Sequence, residues 1–415
     1  MNYRLHHAFV TSGSLLLTAI AALSDRFVAQ PSPVIGVADA PPHPFTAAAP
    51  CVRPKARAWR DGETLVIRGD VAAPCTFTIR DTPVSIVSDD SKVPVIGERV
   101  VRDRRGRYYT FASGQIAVWN QTGGLIRTVG RLGMGPGEFA AGGLTVLPAP
   151  SDQLYVLDNA RRLTVFDSSY RLVRTIAANV GLGMGYTFVL EDGTILDGAR
   201  PQNPAAYFDV KRASGTAPNS GWPEVVRSIG KVSEAEAAFD RSDRTRLVSN
   251  AGNGRFWAGP PGATGRGYEI ELWTTEGTRL RTIRRDVDWY PRDVDRYRPK
   301  TSQLTPWPAE LETVQVIDDG LIWVTLIVPN PDGWAAYAKN RQDSTAEGRA
   351  VLGYGELIDA NAGVVLARTG KLYAKEARKV LPHGWFPRSM LGYRPYETPD
   401  GAPAFRILEA TLQAR

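Results

Sequence analysis

RGRYYTFASGQIAVWNQTGGLIRTVG, residues 105–130, and SDQLYVLDNARRLTVFDSSYRLVRTI, residues 151–176, align almost position for position. Each opens on a turn, passes through a short aromatic or aliphatic strand and an alternating second strand, turns again, and ends in a strand rich in Arg, Thr and Ile. Short apolar runs separated by Gly, Asn and Asp at regular spacing predict antiparallel β-structure, and self-similarity along a chain predicts a repeat architecture. GNGRFWAGPPGATGRGYEIELWTTEGTRLRTI (252–283) keeps the same order with a longer middle loop. DDGLIWVTLIVPN (318–330) followed by YGELIDANAGVVLART (354–369) keeps it around an insertion, and EDGTILDGARPQNPAAYFDVKRASG (191–215) is a weaker copy.

The turn positions Gly106, Gln153, Gly193, Gly254 and Gly320 lie 47, 40, 61 and 66 residues apart, so each unit has room for a small antiparallel sheet. FPRSMLGYRPYETPDGAPAFRILEATL (386–412) adds the strands of an incomplete further unit. Its missing outer strand is expected from TPVSIVSDD and KVPVIG, within 82–97, a pairing that closes the ring and removes an exposed sheet edge. The predicted fold is all-β: a six-bladed β-propeller whose last blade is closed by an N-terminal strand.

GRLGMGPGEF (130–139) falls between the first two units, where the chain returns from the outermost strand of one to the innermost strand of the next. Glycine supplies the backbone angles such a return needs. A phosphate-cradling loop would require a helix behind it, and the following GLTVL (143–147) reads as a strand. With its flanks, VGRLGMGPGEF and LYVLDNARRLTVFDSSYRLVRTI resemble the NHL-type repeat of six-bladed propellers, in particular exported bacterial ones with G-x-G-x-G-P-G-E-F between blades. CTFTIRDTPVSIVSDD (75–90) is similar to the lead-in of that group, and the likeness runs over about residues 75–412. AAGG stands where the group has Pro soon after G-E-F, and the third blade lacks the Tyr-Val-x-Asp strand. The resemblance implies the fold and no single activity, since such propellers include lyases, sensor domains and protein or RNA binders.

Forty Gly and 30 Pro in 415 residues favour turns and strands over long helices. MNYRLHHAFVTSGSLLLTAIAALSDRF has the charged start and apolar run (8–23) of a signal peptide, with an uncleaved anchor as the alternative. The expected divisions are a signal peptide (1–24), a Pro/Ala-rich linker (25–50), a small extension (51–81) and the propeller (82–413). Export places the protein in the periplasm or outside the cell, where the only two cysteines, Cys51 and Cys75, are expected to form a disulfide. Net charge is +7, with nine Lys and 41 Arg, but the arginines are scattered and form neither a basic helix nor a compact patch, which argues against nucleic acid as partner.

Histidine limits the chemistry. His6 and His7 belong to the signal and His43 to the linker, leaving His383 alone in the propeller. One histidine cannot build a His-cluster metal centre, and no catalytic residue is assigned. Calcium held by carboxylates and amides in an axial channel, as in propellers resembling gluconolactonases, would draw on residues such as Asp158 and Asn159, which read more simply as turn residues. No metal ligand and no cofactor is assigned, calcium being the one a channel site would take. The residues picked out for binding lie in two loops: Trp289, Tyr290, Arg292, Tyr297 and Arg298 in DVDWYPRDVDRYRPKTSQLTPWP (286–308), and Trp334 and Tyr337 in NPDGWAAYAKNRQDSTAEG (330–348). Aromatic residues and Arg in loops are the side chains that make binding hot spots. The expected function is therefore an exported, non-enzymatic binding or scaffold module for a protein, glycan or small ligand. The alternative is a calcium-dependent hydrolase or lyase with its site in the axial channel.

Overall fold

The computed structural model describes residues 51–415 apart from 71, 89–98, 113, 178–185, 200, 213–223, 233–244, 260–267, 291–308, 319, 331, 334, 336–338, 340–350, 371 and 374–383. The segments expected to be signal and linker, and His383, thus lie outside the described residues. The chain enters through β1 (Glu63–Arg68) and β2 (Cys75–Val87), then forms β3 (Val100–Arg102), β4 (Tyr108–Ala112), β5 (Gln115–Trp119) and β6 (Leu125–Val129). These last four make one sheet in chain order. A second sheet follows from β7 (Thr145–Pro148), β8 (Leu154–Leu157), β9 (Arg162–Phe166) and β10 (Leu172–Ala177). The third holds β11 (Thr187–Val189), β12 (Ile195–Asp197), β13 (Phe208–Arg212) and β14 (Glu224–Ile229).

The fourth sheet comprises β15 (Leu247–Gly252), β16 (Arg255–Gly259), β17 (Tyr268–Thr274) and β18 (Arg279–Asp286), with β1 added parallel to β18. Next come β19 (Glu310–Asp318), β20 (Leu321–Pro329), β21 (Val351–Asp359) and β22 (Val364–Arg368), with β23 (Leu372–Tyr373) paired to β21. The chain finishes with β24 (Gly384–Trp385), β25 (Leu391–Glu397) and β26 (Pro403–Ala414), whose outer neighbour is β2. In that pairing Ser85, Ile86 and Val87 lie opposite Arg406, Phe405 and Ala404, and the ladder extends back to Cys75 opposite Ala414. A single parallel pair, Cys75 with Ala367, links this last group to the preceding one, so that β19 to β26 and β2 form one long fifth sheet of nine strands.

The core lies between the sheets. Six apolar clusters occur among the described residues; five are shared by two sheets, and the sixth lies within the nine-stranded sheet, between β19–β22 and the β2–β26 pair. One of them packs Phe386, Tyr393, Phe405 and Ile407 from the last strands against Tyr108, Ala117 and Trp119 of the first sheet, so the series of sheets returns to its beginning. Burial on both faces explains the continuous apolar runs, such as the wholly buried Leu154–Leu157. The disulfide joins Cys51 and Cys75 with their Cα atoms 5.8 Å apart, at the point where Cys51 N–H also donates to Leu412 O (3.2 Å).

The glycine-rich stretch does connect β6 to β7. Gly130 has φ 74°, a region only glycine enters cheaply, and a Cβ there would lie 2.1 Å from the ring of Phe139, itself fully buried beside Phe166. The loop is held by Arg162, which donates to the carbonyls of Met134 (2.6 Å), Gly133 (3.1 Å) and Glu138 (3.1 Å). Asp158 orients Arg162 through its Nε (2.9 Å) and Nη2 (2.6 Å) and accepts from Ala140 N–H (3.0 Å). Burial pushes the Asp158 carboxyl up, but these hydrogen bonds outweigh it and hold the group below its ordinary range. The Asn159 amide faces the backbone of Gly143, nitrogen toward the carbonyl and oxygen toward the N–H, both at 3.1 Å.

Candidate functional site

Antiparallel geometry brings the bases of the two aromatic loops together. Glu310, the first residue of β19, lies opposite Ile327 near the end of β20, and Pro329 at that end lies opposite Val351, the start of β21. The loop that enters β19 and the loop that joins β20 to β21 therefore leave from the same end of one sheet.

The first loop is anchored before it departs. Val287 and Tyr290 are buried in the cluster between the fourth and fifth sheets, closed by a turn in which Tyr290 N–H donates to Val287 O (3.1 Å), and Ala309 re-enters the same cluster. Trp289, half-buried, stands edge-on to Tyr354 (5.1 Å between ring centres) and 6.3 Å from Tyr290, while Tyr268 meets Tyr290 at 5.6 Å. Edge-on packing suits rings whose faces are negative and whose edges are positive. The indole N–H of Trp289 donates to Asp70 Oδ1 (3.3 Å), which also accepts from Arg368 Nη1 (3.1 Å).

Beneath these rings is an ion pair with no solvent exposure on either side chain. Arg285 donates through Nε to Glu356 Oε2 and through Nη2 to Oε1, each at 3.0 Å. The hydroxyls of Tyr268 (2.9 Å) and Tyr354 (3.4 Å) donate to the same carboxylate. The remaining Arg285 Nη1 donates to the carbonyls of Ile67 (3.0 Å) and Gly69 (3.2 Å), which fixes the end of β1. Burial alone would lower Arg285, yet the hydrogen bonds to Glu356 hold the guanidinium above its ordinary value. Burial, reinforced by Glu356, drives the Tyr268 phenol far above its usual range, and burial raises Tyr354 as well. Groups so shifted stay in one protonation state at neutral pH; they clamp the loop base and exchange no protons.

The structure brings together Trp289 and Tyr290 of the residues singled out from sequence, with Tyr290 in the core and Trp289 at its margin. Arg292, Tyr297, Arg298, Trp334 and Tyr337 lie outside the described residues. Arg285, Glu356, Tyr268 and Tyr354 were not legible as a group. The one sequence signal was a lone carboxylate, Glu356, in the apolar run VLGYGELI. Among the described residues no group of three or more His, Cys, Asp or Glu side chains converges as metal ligands would, and no helix is long and apolar enough to cross a membrane.

No protein-family model and no curated protein matches the chain. Solved structures do. An exported-protein candidate from Bacteroides fragilis aligns over 85% of this chain and 99% of its own at 12% identity, with a TM-score of 0.54. Virginiamycin B lyase from Staphylococcus aureus aligns over 81% of this chain and 99% of its own at 8% identity, with a TM-score of 0.38. The first is a likeness of fold; the second bears on neither fold nor activity at that score.

Proposed function

We propose that this chain is an exported six-bladed β-propeller that works as a binding module, holding the loops 286–308 and 330–348 side by side toward a protein, glycan or small ligand. The observation that carries this reading is the register at the end of the fifth sheet, where Glu310 meets Ile327 and Pro329 meets Val351. Two loops rich in Trp, Tyr and Arg thereby share one rigid base, and preorganised aromatic anchors lower the entropic cost of binding. Six blades follow if the long sheet is divided at its single Cys75–Ala367 pair, giving β19 to β22 as one blade and β24, β25, β26 and β2 as the next. The apolar start of the sequence and the Cys51–Cys75 disulfide support an oxidising, exported destination.

The test is capture of ligands from a glycan array and from culture supernatant by the purified chain. A variant with 292–307 replaced by a Gly/Ser linker runs in parallel. Binding that disappears in the variant, with thermal unfolding unchanged, is the expected result. A calcium-dependent hydrolysis that survives the replacement would overturn the binding-module reading in favour of a channel enzyme.

A further inference from the structure

Eight large apolar side chains are exposed among the described residues, and five of them fall between residues 126 and 173: Ile126, Leu132, Met134, Leu172 and Val173. They occupy the rim between the first two sheets. Ile126 is on β6, Leu172 and Val173 are on β10, and Leu132 and Met134 are on the glycine-rich loop that follows β6. The loop lies against the start of β10, since a Cβ on Gly137 would be 3.6 Å from Leu172 Cδ2. Concentrated apolar exposure of this kind marks an interaction surface.

The molecule carries its own template for what such an edge takes. The outer strand β18 contains Leu280-Arg281-Thr282-Ile283, and the same pattern recurs as Ile126-Arg127-Thr128-Val129 on β6, Val173-Arg174-Thr175-Ile176 on β10 and Val226-Arg227-Ser228-Ile229 on β14. On β18 this pattern is covered by β1, laid parallel with Glu63 opposite Arg281 and Leu65 opposite Ile283. There Leu280 packs against the core; the corresponding Val173 on β10 is 46% exposed. Charge indicates the kind of strand that fits. Arg127, Arg131, Arg171 and Arg174 are all exposed on this rim. Of the carboxylates nearby, Asp167 is engaged by the N–H groups of Ser169 and Arg171, and Glu138 by Arg131 and Gly135 N–H.

We propose that the outer edge of β10 docks an extended segment of a protein partner. The segment lies parallel to β10 as β1 lies on β18, with an acidic residue opposite Arg174 and a branched aliphatic residue opposite Ile176. Backbone pairing supplies the affinity and the two side chains the selectivity. This surface belongs to the second sheet, whereas the aromatic loops start from the ends of β18 and β20, and its test does not depend on them.

The probe is a synthetic decapeptide with the sequence of residues 61–70, DGETLVIRGD, carrying a photoreactive group at its N-terminus, added to the full chain. Expected are saturable binding, weakening with added salt, and cross-links that map to 172–177. Val173→Lys should weaken binding, since Lys on an edge strand resists added strands. Arg174→Glu should weaken it about tenfold, because an attractive cross-strand pair becomes a repulsive one, and a peptide with Glu63→Lys should restore it. Arg174 is exposed, so its variant keeps the test valid if Val173→Lys unfolds. Cross-links confined to β18, binding absent at millimolar peptide, or indifference to Arg174→Glu would each overturn the proposal. So would a concentration-dependent dimer that takes up no peptide and is abolished by Val173→Lys, since the edge would then pair with itself.

Discussion

Replacing Glu356 by Gln keeps the shape of the side chain and removes its charge. In the structure its two oxygens accept from Arg285 Nε and Nη2 and from the hydroxyls of Tyr268 and Tyr354. The substituted amide would turn an NH2 group toward donors on one side and leave Arg285, with a fully buried side chain, facing two backbone carbonyls and one amide oxygen. Breaking a buried pair by removing one partner costs about 3–5 kcal/mol, a large share of the ~5–15 kcal/mol that holds an ordinary domain together. Urea denaturation followed by tryptophan fluorescence should show the loss as a shifted midpoint at unchanged slope. Hydrogen exchange should show faster opening at residues 67–69 and 287–290 than in the first sheet. The double variant Arg285→Met/Glu356→Leu should be less destabilised than either single one, because no charge is left buried alone. A loss below about 1 kcal/mol for Glu356→Gln, or a double variant as unstable as the sum of the singles, would refute the account of the clamp.

Gly130→Ala should cost about 2–4 kcal/mol in urea denaturation, combining left-handed backbone strain with a collision against the buried Phe139 ring. Reducing the Cys51–Cys75 disulfide, or replacing both cysteines by Ser, should destabilise by about 3 kcal/mol, measured as a lower thermal midpoint, because it frees a loop spanning 24 residues. Asp158 has a folded pKa below its unfolded value, so its stabilisation is complete above about pH 4 and is lost as pH falls through the folded value. The stability gap between wild type and Asp158→Asn should therefore be widest near neutral pH and narrow below about pH 4, as followed by denaturation at each pH.

Repeats made much of this architecture legible. The five aligned segments coincide with β4–β6, β8–β10, β12–β13, β16–β18 and β20–β22, because each sheet must bury both faces and so rewrites the same apolar runs and turns. The strand β1 escaped the reading: ETLVIR has ordinary strand composition, and nothing local in it specifies a parallel seat on β18, about 220 residues downstream. Tyr290 reads as a binding aromatic because it shares a loop sequence with Trp289 and Arg292, yet its ring is held by Tyr268, Trp289 and the apolar ends of two sheets. The Arg285–Glu356 pair is illegible for the same reason, since each partner alone is one charged residue in a strand and only tertiary contact makes them a unit.

The pairing of β2 with β26 sets an order of events in time. Residues 75–87 are made early, and the strand they join, 403–414, is made more than 300 residues later. The intervening sheets can condense from local contacts as they emerge, but the ring has no finishing strand pair until synthesis has reached residue 414. Such distant pairing is intrinsically slow, because the entropy of closing the loop is spent before its contacts form. Until then β2 lacks its long antiparallel partner, while the sheets between the two strands are free to form. The strand made last of those described is thus the one that ties the two ends of this long interval together.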